Sequence, residues 1–174
     1  MQAISVRYSH HLIRFLTIVF GVGLLFASAE FVIPWEPVPF TLQSITVLFI
    51  AMTLPLSDAF VVVFGYLALG AMGLPIFGHF TSGTAVLFGS NAGYFLGFLV
   101  ATPICAAFQP KSFAGYLTMT TVGIFVIFFC GVGVLAHFIG WKAAFAFGAL
   151  PFIATEPLKM LGLDRKSTRL NSSH

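Results

Sequence analysis

Glu156 and Lys159 are opposite ionisable side chains set in an apolar stretch of a chain that is 59% hydrophobic and 7% charged. A charge at membrane depth costs about 2.5 to 3.5 kcal/mol on insertion scales, so such groups face a cavity, pair with each other or meet a ligand. Pro157 suits a first helical turn, and the three-residue spacing then brings carboxylate and ammonium to one mouth. The pair reads as a substrate site. The competing reading is an interfacial pair that snorkels and neutralises itself. Acid–base catalysis would also use buried ionisable groups, but no nucleophile with a base partner accompanies them, so the chain does not read as an enzyme. Cys105 and Cys130 lie apart in apolar segments and read as small core residues. His10, His11, His79 and His137 lack the paired spacing of zinc ligands, and no metal or cofactor is expected. His79 falls in a Gly-rich loop where it could touch a ligand. Asp58, after Pro55 and Ser57, reads as the cap of a new helix.

Composition determines which elements must carry these groups. With 22 Phe among 174 residues, only 8 Lys and Arg, and a mean hydropathy of +1.02, the chain is an integral membrane protein and not a soluble enzyme. The pI near 9.1 does not indicate nucleic acid, because the cations are scattered singly and form no patch. Apolar runs predict an all-α membrane bundle with helices over residues 11–33, 40–54, 59–74, 91–108 and 113–139, and a sixth starting at 157. The first run also admits a secretory reading, with Arg7 and Arg14 as its basic region and Ala27-Ser28-Ala29 as its cleavage site. Against that, everything downstream is membrane-like, and Gly23 with Ala27 forms a small-xxx-small pair suited to close helix contact. The second and third runs are short enough that a re-entrant hairpin is the alternative. Residues 164–174, DRKSTRLNSSH, resemble a translated sequencing adapter. A single membrane domain over 1–163 is therefore expected, its sixth helix cut after 157–163.

Arg7, Arg14 and Lys111 flank one side of the predicted bundle and Lys142 the other, which puts the amino terminus in the cytoplasm by the positive-inside rule. Trp35 and Trp141 then fall in outer connections. Three clusters share that outer face by parity: residues 38–43, 78–94 and 152–159.

Those clusters carry a resemblance. Val38-Pro39-Phe40-Thr41-Leu42-Gln43, the later Gly93-Tyr94-Phe95-Leu96-Gly97-Phe98, and Leu150-Pro151-Phe152 followed by Glu156 and Lys159 resemble BioY, the biotin-binding subunit of energy-coupling factor (ECF) transporters. Two places depart from the family: Gly89-Ser90-Asn91 stands where Gly-Pro-Thr is usual, and Thr155-Glu156 where Gly-Asp is usual. The resemblance implies a six-helix S component in the cytoplasmic membrane of a prokaryote. It would capture biotin from outside, with energy from partner ATPases acting through a separate transmembrane coupling subunit. The chain itself has no G-x-x-x-x-G-K-[ST] segment to cradle a nucleotide phosphate. Gly23 and Ala27 would then form the docking face for a partner, internal packing being the alternative.

Biotin's handles match the residues. Its carboxylate wants a cation, which Lys159 offers, and Glu156 can accept from the ureido N–H groups. Gln43 and Asn91 each carry a donor and an acceptor for the remaining ureido positions, while Phe40 and Tyr94 can pack the ring. Each also has a plain structural alternative: Asn91 as a helix cap, Gln43 as an interhelical hydrogen bond, Tyr94 in the interface belt. A related subunit for another vitamin remains the nearest rival.

Overall fold

A computed structural model describes residues 2–33 and 40–148, with side chains over 11–31 and 41–148. Seven helices and a two-stranded ribbon make up these described residues. Helix α1 spans Gln2–Glu30 and stops short of the expected residue 33. Instead, Val32–Ile33 (β1) and Phe40–Thr41 (β2) pair antiparallel, Val32 opposite Thr41 and Ile33 opposite Phe40. Phe40 is thus a ribbon residue, and α2 begins only at Gln43, running to Thr53.

Pro55 opens α3, Leu56–Ala71, from the N-cap position, where its fixed φ fits and no N–H is missed. Asp58 lies in the first turn of α3 and makes no cap. Its carboxylate is engaged by Arg14, at 2.7 Å from Nη2 and 2.8 Å from Nε. This corrects the capping assignment: a guanidinium reaching across from α1 is a stronger partner for the carboxylate than its own helix amides. Gly73, at φ 104, ends the helical run two residues beyond α3.

The loop that follows contains a tight turn at Gly78–Phe80 and a single helical turn, α4, Thr84–Leu87. Helix α5 spans Ala92–Phe108 and α6 spans Phe113–Ile139, the latter opened by Ser112, whose hydroxyl accepts from the Gly115 N–H. Gly140, at φ 82, breaks the chain into α7, Trp141–Gly148, where a plain connection was expected. The expected sixth helix at 157–163 and the tail at 164–174 lie outside the described residues.

Small residues hold the bundle together. A methyl group added at Gly93 would meet the Cys130 carbonyl, and one at Gly97 would lie 2.7 Å from the Ile127 Cα, so α5 and α6 pack nearly backbone to backbone. Gly123 is likewise filled by Leu48 of α2, and Gly21 of α1 by Val62 of α3. Outside this core the helices present aromatic and aliphatic side chains, with Phe20 71% and Phe129 73% exposed. A surface this apolar on helices this long is solvated by lipid. Helices His11–Glu30 and Phe113–Ile139 are long and apolar enough to cross a bilayer.

Direction follows from the cross-contacts. Arg14, near the middle of α1, meets Asp58, and Glu30 ends the helix 16 residues on, about 24 Å away. The chain runs away from the Glu30 end through α2, turns at Pro55 and returns through α3, two apolar helices of 11 and 16 residues that are shorter than the two candidate spans. The start of α2, the ends of α1 and α3, the start of α5 and α7 all gather at the Glu30 end.

Candidate substrate-binding cavity

Several serine and threonine hydroxyls of this bundle are satisfied within their own helices. Ser28 donates to the Leu25 carbonyl at 2.9 Å, Thr102 to Phe98 at 2.7 Å, and Thr17, Thr53, Thr118 and Thr121 each donate to the carbonyl four residues earlier. This is the economical solution where water is absent. Against that pattern two buried atoms stand out among the described residues: Nε2 of Gln43, a donor, and Oδ1 of Asn91, an acceptor, have no hydrogen-bond partner. Gln43 is only 6% exposed. The Tyr66 hydroxyl lies beside Gln43 and donates its own proton to the Ile76 carbonyl at 2.8 Å; its oxygen is an acceptor near the Gln43 amide, but no well-formed hydrogen bond joins the two.

Both amides line one cavity of about 90 Å³ at the Glu30 end of the bundle. Gln43 and Ser44 come from the first turn of α2, Asn91 and Tyr94 from the start of α5, and Phe77, His79 and Thr81 from the loop after α3. Phe95, Phe98 and Phe128 supply aromatic walls. Apolar walls with a few convergent polar groups are the general pattern of a small-molecule site. Asn91 does sit at the N-cap of α5, but its backbone is helical and its side chain makes no cap bond, which frees the amide for the cavity.

Tyr94 is buried, not interfacial. Its ring fills the space over Gly131, packs edge-on against Phe128 at 5.9 Å, and its hydroxyl donates to the Gly148 carbonyl at 3.2 Å. The residue thus ties α5 to α6 and α7 while giving the cavity part of its wall. The glycines of the same motif serve the α5–α6 contact described above.

Gln43, Tyr94 and Asn91 are thus brought together, and His79 joins them. Phe40 sits in β2, three residues before Gln43, with only its backbone described. Glu156 and Lys159 lie outside the described residues. Sequence reasoning missed Phe77, Ser44, Thr81 and Phe128. Phe77, 1% exposed in a loop, is legible only from its contacts: its ring stands between Tyr66 at 5.5 Å and Phe95 at 5.2 Å. No metal-binding cluster of His, Cys, Asp or Glu occurs among the described residues.

On the outer flank of α1, Gly23 and Ala27 are exposed, and an added methyl at Gly23 would meet nothing within 4 Å. They take no part in the packing of the described bundle.

Comparison with known proteins bears on family and fold. The chain is 34% identical over 154 residues to the probable biotin transporter BioY of Rickettsia prowazekii, covering 87% of this chain and 79% of that protein. It is 36% identical over 142 residues to the biotin transporter BioY of Thermotoga maritima, covering 80% and 84%. Its fold resembles the crystal structure of the S-component for biotin from an ECF-type ABC transporter, with a TM-score of 0.70 over 80% of this chain and 82% of that one. At 18% identity that likeness is one of fold. Residues 3–165 match the BioY family from the first turn of α1 to beyond α7, and the chain belongs to that family.

Proposed function

We propose that this chain is the substrate-binding S component of an ECF-type transporter and that it carries biotin across the cytoplasmic membrane without altering it chemically. The observation that carries the reading is the orphaned amide pair, a donor at Gln43 Nε2 and an acceptor at Asn91 Oδ1, facing one aromatic-walled cavity. A ureido group presents the complementary pair, a carbonyl acceptor beside N–H donors. The names of the relatives support the same ligand. Phe40 and Tyr94 pack the bicyclic ring, Glu156 accepts from a ureido N–H, and Lys159 pairs with the carboxylate.

The amino terminus is cytoplasmic and the cavity opens outward, in keeping with Arg7, Arg14 and Lys111 at the opposite end from Lys142. The segment at 157–163 contributes to a sixth membrane helix. Gly23 and Ala27 receive the coupling subunit, whose ATPases supply the energy. Their outward placement supports docking over internal packing.

Uptake of radiolabelled biotin into biotin-auxotrophic cells tests this reading. Cells expressing the chain with an ECF coupling subunit and its ATPases should accumulate label, and excess unlabelled biotin should abolish it. Accumulation no greater than in cells without the chain would refute the proposal.

A further inference from the structure

The loop between α3 and α5 is rooted firmly and tipped precariously. At its root, the Phe77 ring is buried over Gly70, and Gly83 donates its N–H to the Gly70 carbonyl at 2.8 Å. Phe77 and Thr81 then close a tight turn by exchanging two backbone hydrogen bonds of 3.1 Å, and the Thr81 hydroxyl donates to the Gly78 carbonyl at 2.8 Å. His79 and Phe80 at the tip both have left-handed backbones, φ 58 and 55. Residues with a Cβ stay there only when their surroundings hold them.

The holding element is α1. The Phe80 N–H donates to Glu30 Oε1 at 3.2 Å, and the Phe80 ring meets Phe26 edge-on at 6.0 Å, one helical turn before Glu30. The turn so held supplies Phe77, Gly78, His79 and Thr81 to the cavity wall. Neither Glu30 nor Phe26 lines the cavity itself.

We infer that Glu30 is a positioning residue for substrate retention: its carboxylate clasps the turn at Phe80, and the ligand leaves when that clasp opens. The retention role rests on the reading of the cavity as the biotin site. Gly23 and Ala27 lie beside Phe26 and Glu30 around the helix, so a partner seated on the small pair would bear directly on the clasp.

Two substitutions separate the hydrogen bond from the charge. Glu30→Asp keeps the charge but withdraws the acceptor by one methylene, whereas Glu30→Gln keeps an acceptor oxygen and removes the charge. In purified protein without ligand, hydrogen exchange at the Phe80 amide should quicken about tenfold in E30D, which loses the bond, and clearly less in E30Q, whose neutral oxygen keeps a weaker one. Biotin dissociation should follow the same pattern, about tenfold faster in E30D with association little changed. Parental behaviour in both variants, or fast release in E30Q with parental E30D, would overturn the clasp. Faster amide exchange without faster dissociation would overturn its role in retention. Parent protein that shows the exchange pattern but binds no biotin would overturn the functional reading, and retention with it, while the clasp itself stands.

Discussion

A buried amide atom without a protein partner costs the fold up to about 1 to 3 kcal/mol. Gln43 Nε2 and Asn91 Oδ1 therefore lower the stability of the unliganded chain, a cost a complementary ligand removes. Substitutions that keep volume but delete the polar atoms should have opposite effects on folding and binding. Gln43→Met and Asn91→Leu should each melt at or above the parental temperature in a detergent thermal-shift assay, and each should bind biotin about 10- to 100-fold more weakly. A variant that lost stability in step with affinity would mark that amide as structural. Lys159 gives a second residue-scale expectation, since a cation paired with the biotin carboxylate should distinguish acid from amide. Lys159→Ala should weaken biotin binding by about 1.5 to 3 kcal/mol, the value of a hydrogen bond to a charged group, and weaken biotin amide less. Equal losses for the two ligands by equilibrium binding would remove Lys159 from that role.

At the scale of elements, glycines on two faces should behave differently on substitution. Gly97→Val should wedge α5 from α6 at Ile127 and cost about 1 to 3 kcal/mol, visible as a lower melting temperature and poorer yield. Gly23→Val meets open space, so the isolated protein should melt as the parent does, while biotin uptake that depends on the coupling subunit falls. Parental uptake by G23V would dismiss the docking face. A helix boundary was legible where Gln109 and Pro110 close α5, whereas α3 opens at Leu56, ahead of the expected residue 59, because Pro55 fits the position before a helix and Asp58 does not cap it. Helix α7 was not legible, because a single Gly140 at positive φ turns the chain and helix resumes without an intervening loop. Two-residue strands and the one-turn α4 are too short to leave a periodic signal. In the candidate site, Gln43, Asn91 and Tyr94 were reached through the segments that resemble the BioY family, and these the structure brings to one cavity. Phe77 could not be read, being one of 22 Phe. The Arg14–Asp58 pair and the Glu30–Phe80 contact join residues 44 and 50 apart, a separation no local pattern encodes.

For the whole molecule, the gathering of helix ends at Glu30 gives the bundle a polar, cavity-bearing end and an opposite end marked by Arg14, Asp58 and the turn at 109–112. Cysteines introduced at Thr81 and Ala143 should be labelled from outside in intact cells, and one at Ser112 should not. The reverse pattern would invert the orientation, and labelling of only one of the first two would break the shared outer face. The central claim, that the cavity between α2, α5 and the intervening loop is a biotin site, is tested most directly by equilibrium binding of radiolabelled biotin to the purified protein and to its Gln43→Met/Asn91→Leu double variant. The parent should bind saturably, one biotin per chain, displaced by unlabelled biotin and not by thiamine, while the double variant, melting as the parent does, should lose that binding. Undiminished binding by the folded double variant, or no saturable binding by the folded parent, would contradict it.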